Sequence, residues 1–158
     1  MLEGLLKYGL FGLFLSSFLG STIFIPLTPE LFVAALIGAG ANPFIVVFLA
    51  STASLLGNLV NYIIGFYGIE KILERFVKKE DIKKAERIAD KYGVIGIFLA
   101  MAIPLPLPVD VLAVIAGATK MRLRYFLLAC FFGKLIKYSF YAGIAEYVIH
   151  LLLPILKF

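Results

Sequence analysis

Ile25-Pro26-Leu27-Thr28-Pro29-Glu30 and Leu105-Pro106-Leu107-Pro108-Val109-Asp110 are one phrase written twice in otherwise apolar surroundings. A proline inside a helix removes a backbone hydrogen bond and clashes with the preceding turn, so a helix that reaches either phrase must stop. Proline is well tolerated at the first helical position, and Thr is a favourable N-cap, so Pro26-Leu27-Thr28-Pro29 and Pro104-Leu105-Pro106-Leu107-Pro108 are also places where a helix restarts. The likeness extends outward in both directions. Tyr8-Gly9-Leu10-Phe11-Gly12-Leu13-Phe14-Leu15 returns as Tyr92-Gly93-Val94-Ile95-Gly96-Ile97-Phe98-Leu99. Gly57-Asn58-Leu59-Val60-Asn61-Tyr62 returns as Gly133-Lys134-Leu135-Ile136-Lys137-Tyr138. The three matches keep their order and the offset falls by four residues from each to the next. That is about one helical turn, so the second copy has slightly shorter helices.

Of 158 residues, 62% are hydrophobic, and the mean hydropathy is +1.01. Soluble domains are nearer half apolar, and the excess here lies in long runs, so the class is an all-α integral membrane protein. The net charge of +5 would raise the question of nucleic acid in a soluble chain. Here Lys and Arg flank apolar segments, which points instead to orientation in a bilayer and to anionic lipid, with no nucleic-acid partner. Cys130 is the single cysteine and His150 the single histidine, so no intrachain disulfide and no Cys/His metal framework is available. The first residues lack the basic region and cleavage site of a signal peptide, so the first hydrophobic stretch is read as retained.

One membrane domain, 1–158, accounts for these features: repeat one over about 2–68, a charged linker over 69–91 and repeat two over about 92–153. The first apolar segment runs from Leu2 to about Phe24, and a short helix from Glu30 to about Ile37. Gly38 to Pro43 reads as a turn, and Phe44 to about Phe66 is long enough to cross a bilayer, which takes about 20 apolar residues. Between Ile69 and Lys91 both charge signs are dense, with apolar residues at helical spacing, which predicts two amphipathic helices on the membrane surface joined near Lys79. Tyr92 to about Ile103 is too short to cross, the chain restarts at Pro108 and runs to Gly117, and Tyr125 to about Leu153 spans. Each copy thus reads as a Pro-broken re-entrant helical hairpin plus one transmembrane helix. With one net crossing per copy, the repeat is inverted. Leu2 to Phe24 is itself long enough to cross, which leaves full crossing or half of a hairpin open for that segment. The linker and the Lys120–Arg124 turn hold most of the Lys and Arg, whereas Gly38 to Pro43 holds none. The positive-inside rule then places the protein in the cytoplasmic membrane with 69–91 in the cytoplasm and both termini outside.

Four ionisable residues lie inside apolar segments: Glu30, Asp110, Lys134 and Lys137. A charge at a helix centre costs roughly 3 kcal/mol on insertion scales, and such residues default to a functional reading. The bland alternative is that the acids cap half-helices and neutralise the lysines. Lys134 and Lys137 share a helix face, and Asn58 and Asn61 hold the matching positions in the first copy. Asn also serves as interhelical glue, so these two are candidates of a second kind.

Pro26 to Glu30, the Gly57 helix, the charged linker, the Pro104–Asp110 break with Ala116-Gly117, and Gly133-Lys134-Leu135-Ile136-Lys137-Tyr138 together resemble the DedA superfamily, also called the SNARE-associated or VTT domain. The short length and the Gly-Lys-x-x-Lys-Tyr stretch look most like its YqaA-type branch. The resemblance covers about Leu10 to Tyr147. It implies two re-entrant loops that face each other and a role in moving lipids across bilayers, and it maps the family's acid after the first re-entrant turn onto Glu30. Many members carry arginines around the second break, and this chain has none between Leu99 and Ala118.

The resulting expectation is a flippase- or scramblase-like lipid transporter, without cofactor or metal, whose partners are membrane lipids and whose substrate carries an anionic headgroup such as a polyprenyl phosphate. Glu30, Asp110, Lys134, Lys137, Asn58 and Asn61 would bind substrate or couple protons. Pro26, Thr28, Pro29, Pro104, Pro106 and Pro108 would break the helices. The alternatives are a proton- or ion-coupled carrier of a small solute, and a non-transporting homeostasis or assembly factor. No catalytic residues are assigned: the chain has no paired-Asp motif and no Ser in a nucleophile elbow. Assembly as a homo-oligomer stays open.

Overall fold

The computed structural model describes residues 2–25, 27–68, 74–75, 77–104 and 109–156. Those residues form six helices and no strand: α1 Leu2–Gly20, α2 Pro29–Gly38, α3 Pro43–Phe66, α4 Lys79–Ala102, α5 Val109–Ala118 and α6 Leu123–Leu156. Both α3 and α6 are long and apolar enough to cross a membrane. At 1.5 Å per residue, the 24 residues of α3 cover about 36 Å and the 34 of α6 about 51 Å, against a hydrocarbon core of about 30 Å.

The helix ends follow local chemistry. α1 stops at Gly20, before the Phe24 limit expected from hydropathy, and Thr22 then turns its hydroxyl back onto Leu19 O at 2.7 Å. α2 begins at Pro29, although the Thr28 side chain makes no capping bond. The Glu30 carboxylate instead accepts from its own backbone N–H. α3 begins at Pro43, with the Asn42 side chain accepting from Phe44 N at 2.9 Å. The expected breaks at Pro26, Pro106 and Pro108 lie outside the described residues, as does linker sequence at 69–73 and 76.

The linker differs from the expected surface pair of helices. α4 starts at Lys79 and continues past Lys91 to Ala102, interrupted at Gly93 (φ 58°, ψ −134°), a conformation open to glycine. The interruption is sharp: a Cβ on Gly96 would stand 2.5 Å from Tyr92 Cβ and 3.0 Å from Ile88 O. The two parts of α4 therefore fold against each other. The apolar face around Ala85, Ile82 and Ile88 packs with Ala100 onto Val111, Leu112 and Ile115 of α5. It covers protein, because a glycine hinge lets the amphipathic segment turn back onto the half-helix that follows.

The packing alternates between the two halves of the chain. α1 lies on α3 and α4 on α6, whereas α5 lies on α3 and α2 on α6. Small residues set the closest approaches: a Cβ on Gly65 would meet Val114 O at 1.8 Å, and one on Gly117 would meet Tyr62 O at 1.9 Å. One core gathers Leu13, Val33, Val46 and Tyr138, the other Ile97, Met101, Ala113 and Phe126. The turn after α5 also reproduces the turn after α2. Ala39 N→Ala35 O, Gly40 N→Ile37 O and Ala41 N→Leu36 O correspond to Thr119 N→Ile115 O, Lys120 N→Gly117 O and Met121 N→Ala116 O, all at 2.9–3.0 Å. Gly40 (φ 89°) and Lys120 (φ 54°) share the left-handed position.

Candidate functional site

Each short apolar helix brings an acid to its first turn, Glu30 in α2 and Asp110 in α5. Near the N-terminus of a helix a carboxylate is favoured by the exposed amides and the helix dipole. Both lysines come from α6, one turn apart. Lys137 Nζ meets Glu30 Oε1 at 2.8 Å, with both side chains largely buried, so α2 is tied to α6 by an ion pair.

The other two charges behave differently. Lys134 is only 3% exposed. It has neither hydrogen bond nor ion pair among the described residues. Asp110 keeps a buried Oδ1 without a hydrogen-bond partner among the described residues. Lys134 is nevertheless the cation that acts most strongly on Asp110, followed by Lys137, and Lys134 also acts on Glu30. The four charges form one cluster, in which Glu30 and Lys137 are in contact and Asp110 and Lys134 act on each other without a close ion pair.

The asparagines separate as well. Asn61 Nδ2 donates to Ser21 O at 2.9 Å, and its Oδ1 accepts from Ile23 N at 3.1 Å, so it holds the backbone just beyond α1. Asn58 makes one weak contact, Nδ2 to Met101 Sδ at 3.8 Å, and its Oδ1 is buried without a partner. A polar seam that sequence reasoning missed adjoins them. Ser54 Oγ shares a 2.6 Å hydrogen bond with the Tyr138 hydroxyl and reaches Ser17 O at 3.3 Å, while the Ser17 and Ser21 hydroxyls are buried and unpartnered. The signal was present: Ser54, Asn58 and Asn61 recur at helical spacing, as do Ser17 and Ser21.

Outside this interior, α3 and α6 border an apolar groove of about 810 Å³, lined by Phe44, Ile45, Phe48, Leu135 and Ser139 among others. Phe44, Ile45 and Phe48 are exposed.

The VTT domain matches residues 25–147. The chain is 30% identical over 132 residues to an uncharacterized protein of Methanocaldococcus jannaschii, covering 84% of this chain and 81% of that one. It is 26% identical over 145 residues to an uncharacterized protein of Haemophilus influenzae, covering 89% and 74%. No solved structure matches it. With the four interior charges, all of α3 and most of α6 inside the matched region, the chain belongs to the VTT domain family, the DedA or SNARE-associated family of membrane proteins.

Proposed function

We propose that this protein moves an anionic lipid headgroup across the cytoplasmic membrane, with a polyprenyl phosphate as first candidate. The observation that carries the reading is the buried cluster of Glu30, Asp110, Lys134 and Lys137, drawn from the half-helices of both copies and from one long helix. Buried charge at membrane depth is costly, and a scaffold that needed only neutrality could use apolar residues instead. The alternating packing and the matching turns after α2 and α5 support an inverted repeat with two facing re-entrant hairpins. Half-helix N-termini in such an arrangement present amides to a phosphate. The apolar groove bordered by Phe44, Ile45 and Phe48 favours a lipid over a small solute, since a prenyl chain can lie there.

In this reading an ionised acid beside the bound phosphate opposes it, and protonation relieves the repulsion, so transfer is proton-sensitive. The test is headgroup transfer in proteoliposomes at two pH values, with thermal melting to check folding. The variant Glu30→Gln/Asp110→Asn/Lys134→Met/Lys137→Met is expected to fold, because removing paired buried charge is often neutral or stabilising, and to lose transfer. Wild-type transfer by that folded variant would show that the four charges are structural.

A further inference from the structure

The cluster is asymmetric, and the asymmetry divides its labour. Lys137 already has its counter-ion at 2.8 Å, on a helix of the other copy. Lys134, one turn earlier and nearly inaccessible, has no hydrogen bond or close ion pair among the described residues. An ammonium on a nearly buried side chain, with no hydrogen bond or ion pair to offset its lost hydration, marks a place for an anion. Asp110, on which Lys134 acts more strongly than any other charge, offers a buried carboxylate oxygen with no hydrogen-bond partner among the described residues. The titratable groups around Lys134 are Asp110 from α5, Glu30 from α2 and Cys130 one turn away on α6, with the Tyr138 hydroxyl on the next turn hydrogen-bonded to Ser54 of α3.

We propose that Lys134, together with Asp110, is the phosphate-binding half of the cluster, and that the Glu30–Lys137 pair is a latch that holds α2 on α6 and must open for transfer. This rests on the lipid-transport reading and adds to it a separation of binding from movement. Lys134 receives the phosphate as a point charge, and Asp110 sets how strongly it is held, being repulsive when ionised. The latch touches no ligand. It joins elements from the two copies, so altering it changes how readily they part.

The test is equilibrium binding of radiolabelled farnesyl phosphate to the full-length protein in micelles, with transfer of the same lipid measured in proteoliposomes. Inorganic phosphate and farnesol serve as competitors, and each variant is melted to confirm folding. The expected results are at least a tenfold loss of binding in Lys134→Met, substantial recovery in Lys134→Arg, and tighter binding in Asp110→Asn. Glu30→Gln/Lys137→Met should bind within about threefold of wild type while its transfer rate changes by tenfold or more. Competition by inorganic phosphate alone identifies free phosphate as the ligand, whereas competition that needs the prenyl chain identifies the lipid. Wild-type binding that survives Lys134→Met, or that disappears with the folded latch variant, overturns the division while leaving lipid transport standing. A wild-type protein that binds neither farnesyl phosphate nor phosphate overturns both. Should Lys134→Met fail to fold, loss of binding in Lys134→Gln together with unchanged melting decides the same point, and retained binding there overturns it.

Discussion

Asn58 and Asn61 show how much a buried side chain's meaning depends on its partners. Both are fully buried on α3, one turn apart. Asn61 satisfies a carbonyl and an amide of the 21–23 segment, so Asn61→Leu strands two backbone groups. That should cost about 1–3 kcal/mol per group left unsatisfied. Asn58→Leu removes a side chain whose oxygen has no partner and whose one contact is to sulfur, and it should be close to neutral or stabilising. Denaturation in detergent, followed by circular dichroism, ranks the two. Equal losses would mean that Asn58 has a partner as firm as those of Asn61. Lys134 and Lys137 make the same point with charge: they are chemically identical and a turn apart, yet one is paired and the other is not.

At the level of the element, the close crossings are set by glycine. Gly65→Ala would push a methyl into the Val114 carbonyl, and Gly117→Ala one into the Tyr62 carbonyl. Neither obstacle is a flexible side chain, so α3 and α5 must separate, at a cost of about 1–3 kcal/mol or more. Gly143→Ala meets nothing within 4 Å and should gain about 0.5–1 kcal/mol from helix propensity. Melting temperatures of the three variants check the contrast. If Gly143→Ala fell as far as Gly65→Ala, backbone propensity rather than crossing distance would govern these sites. Gly93 is a different case. Its φ of 58° with ψ of −134° suits glycine alone, so Gly93→Ala should cost about 1–3 kcal/mol and loosen the α4 segment that covers α5. Faster proteolysis between Lys79 and Lys91 in that variant would register the loosening.

For the whole molecule, the charge distribution makes a topological prediction. With Cys130 replaced by Ala, a cysteine at Lys84 should react with an impermeant maleimide only from the cytoplasmic side, and one at Ala41 only from outside. Lys84 lies in the charged part of α4, and Ala41 in the turn between α2 and α3 that carries no Lys or Arg. Labelling from the opposite sides would invert the orientation, and labelling of each site from both sides would mean dual insertion. α2 packs on α1 as well as on α6, and α5 on α4 as well as on α3, so each short helix is covered partly by its own half of the chain and partly by the other. Truncation after Gly68 should leave the side of α2 that faces α6 uncovered and Glu30 without Lys137, and yield aggregate rather than a folded half.

The sequence by itself determined the all-helical membrane class, the two long apolar helices, the restart of α2 at Pro29 within a residue, and the identity of the four interior charges, because each follows from local composition: run length, proline sterics and the rarity of charge in apolar segments. The Gly93 interruption falls one residue after Tyr92, where the sequence likeness to Tyr8 begins, although a positive φ could not be read from a glycine that has a helical counterpart at Gly9. Only the tertiary structure decided which acid met which lysine, which asparagine held backbone, and where the amphipathic face of the linker went. Those outcomes depend on how helices far apart in the chain pack together. Spacing along one helix fixes which side chains share a face, whereas the partner across that face is set by the crossing of another helix.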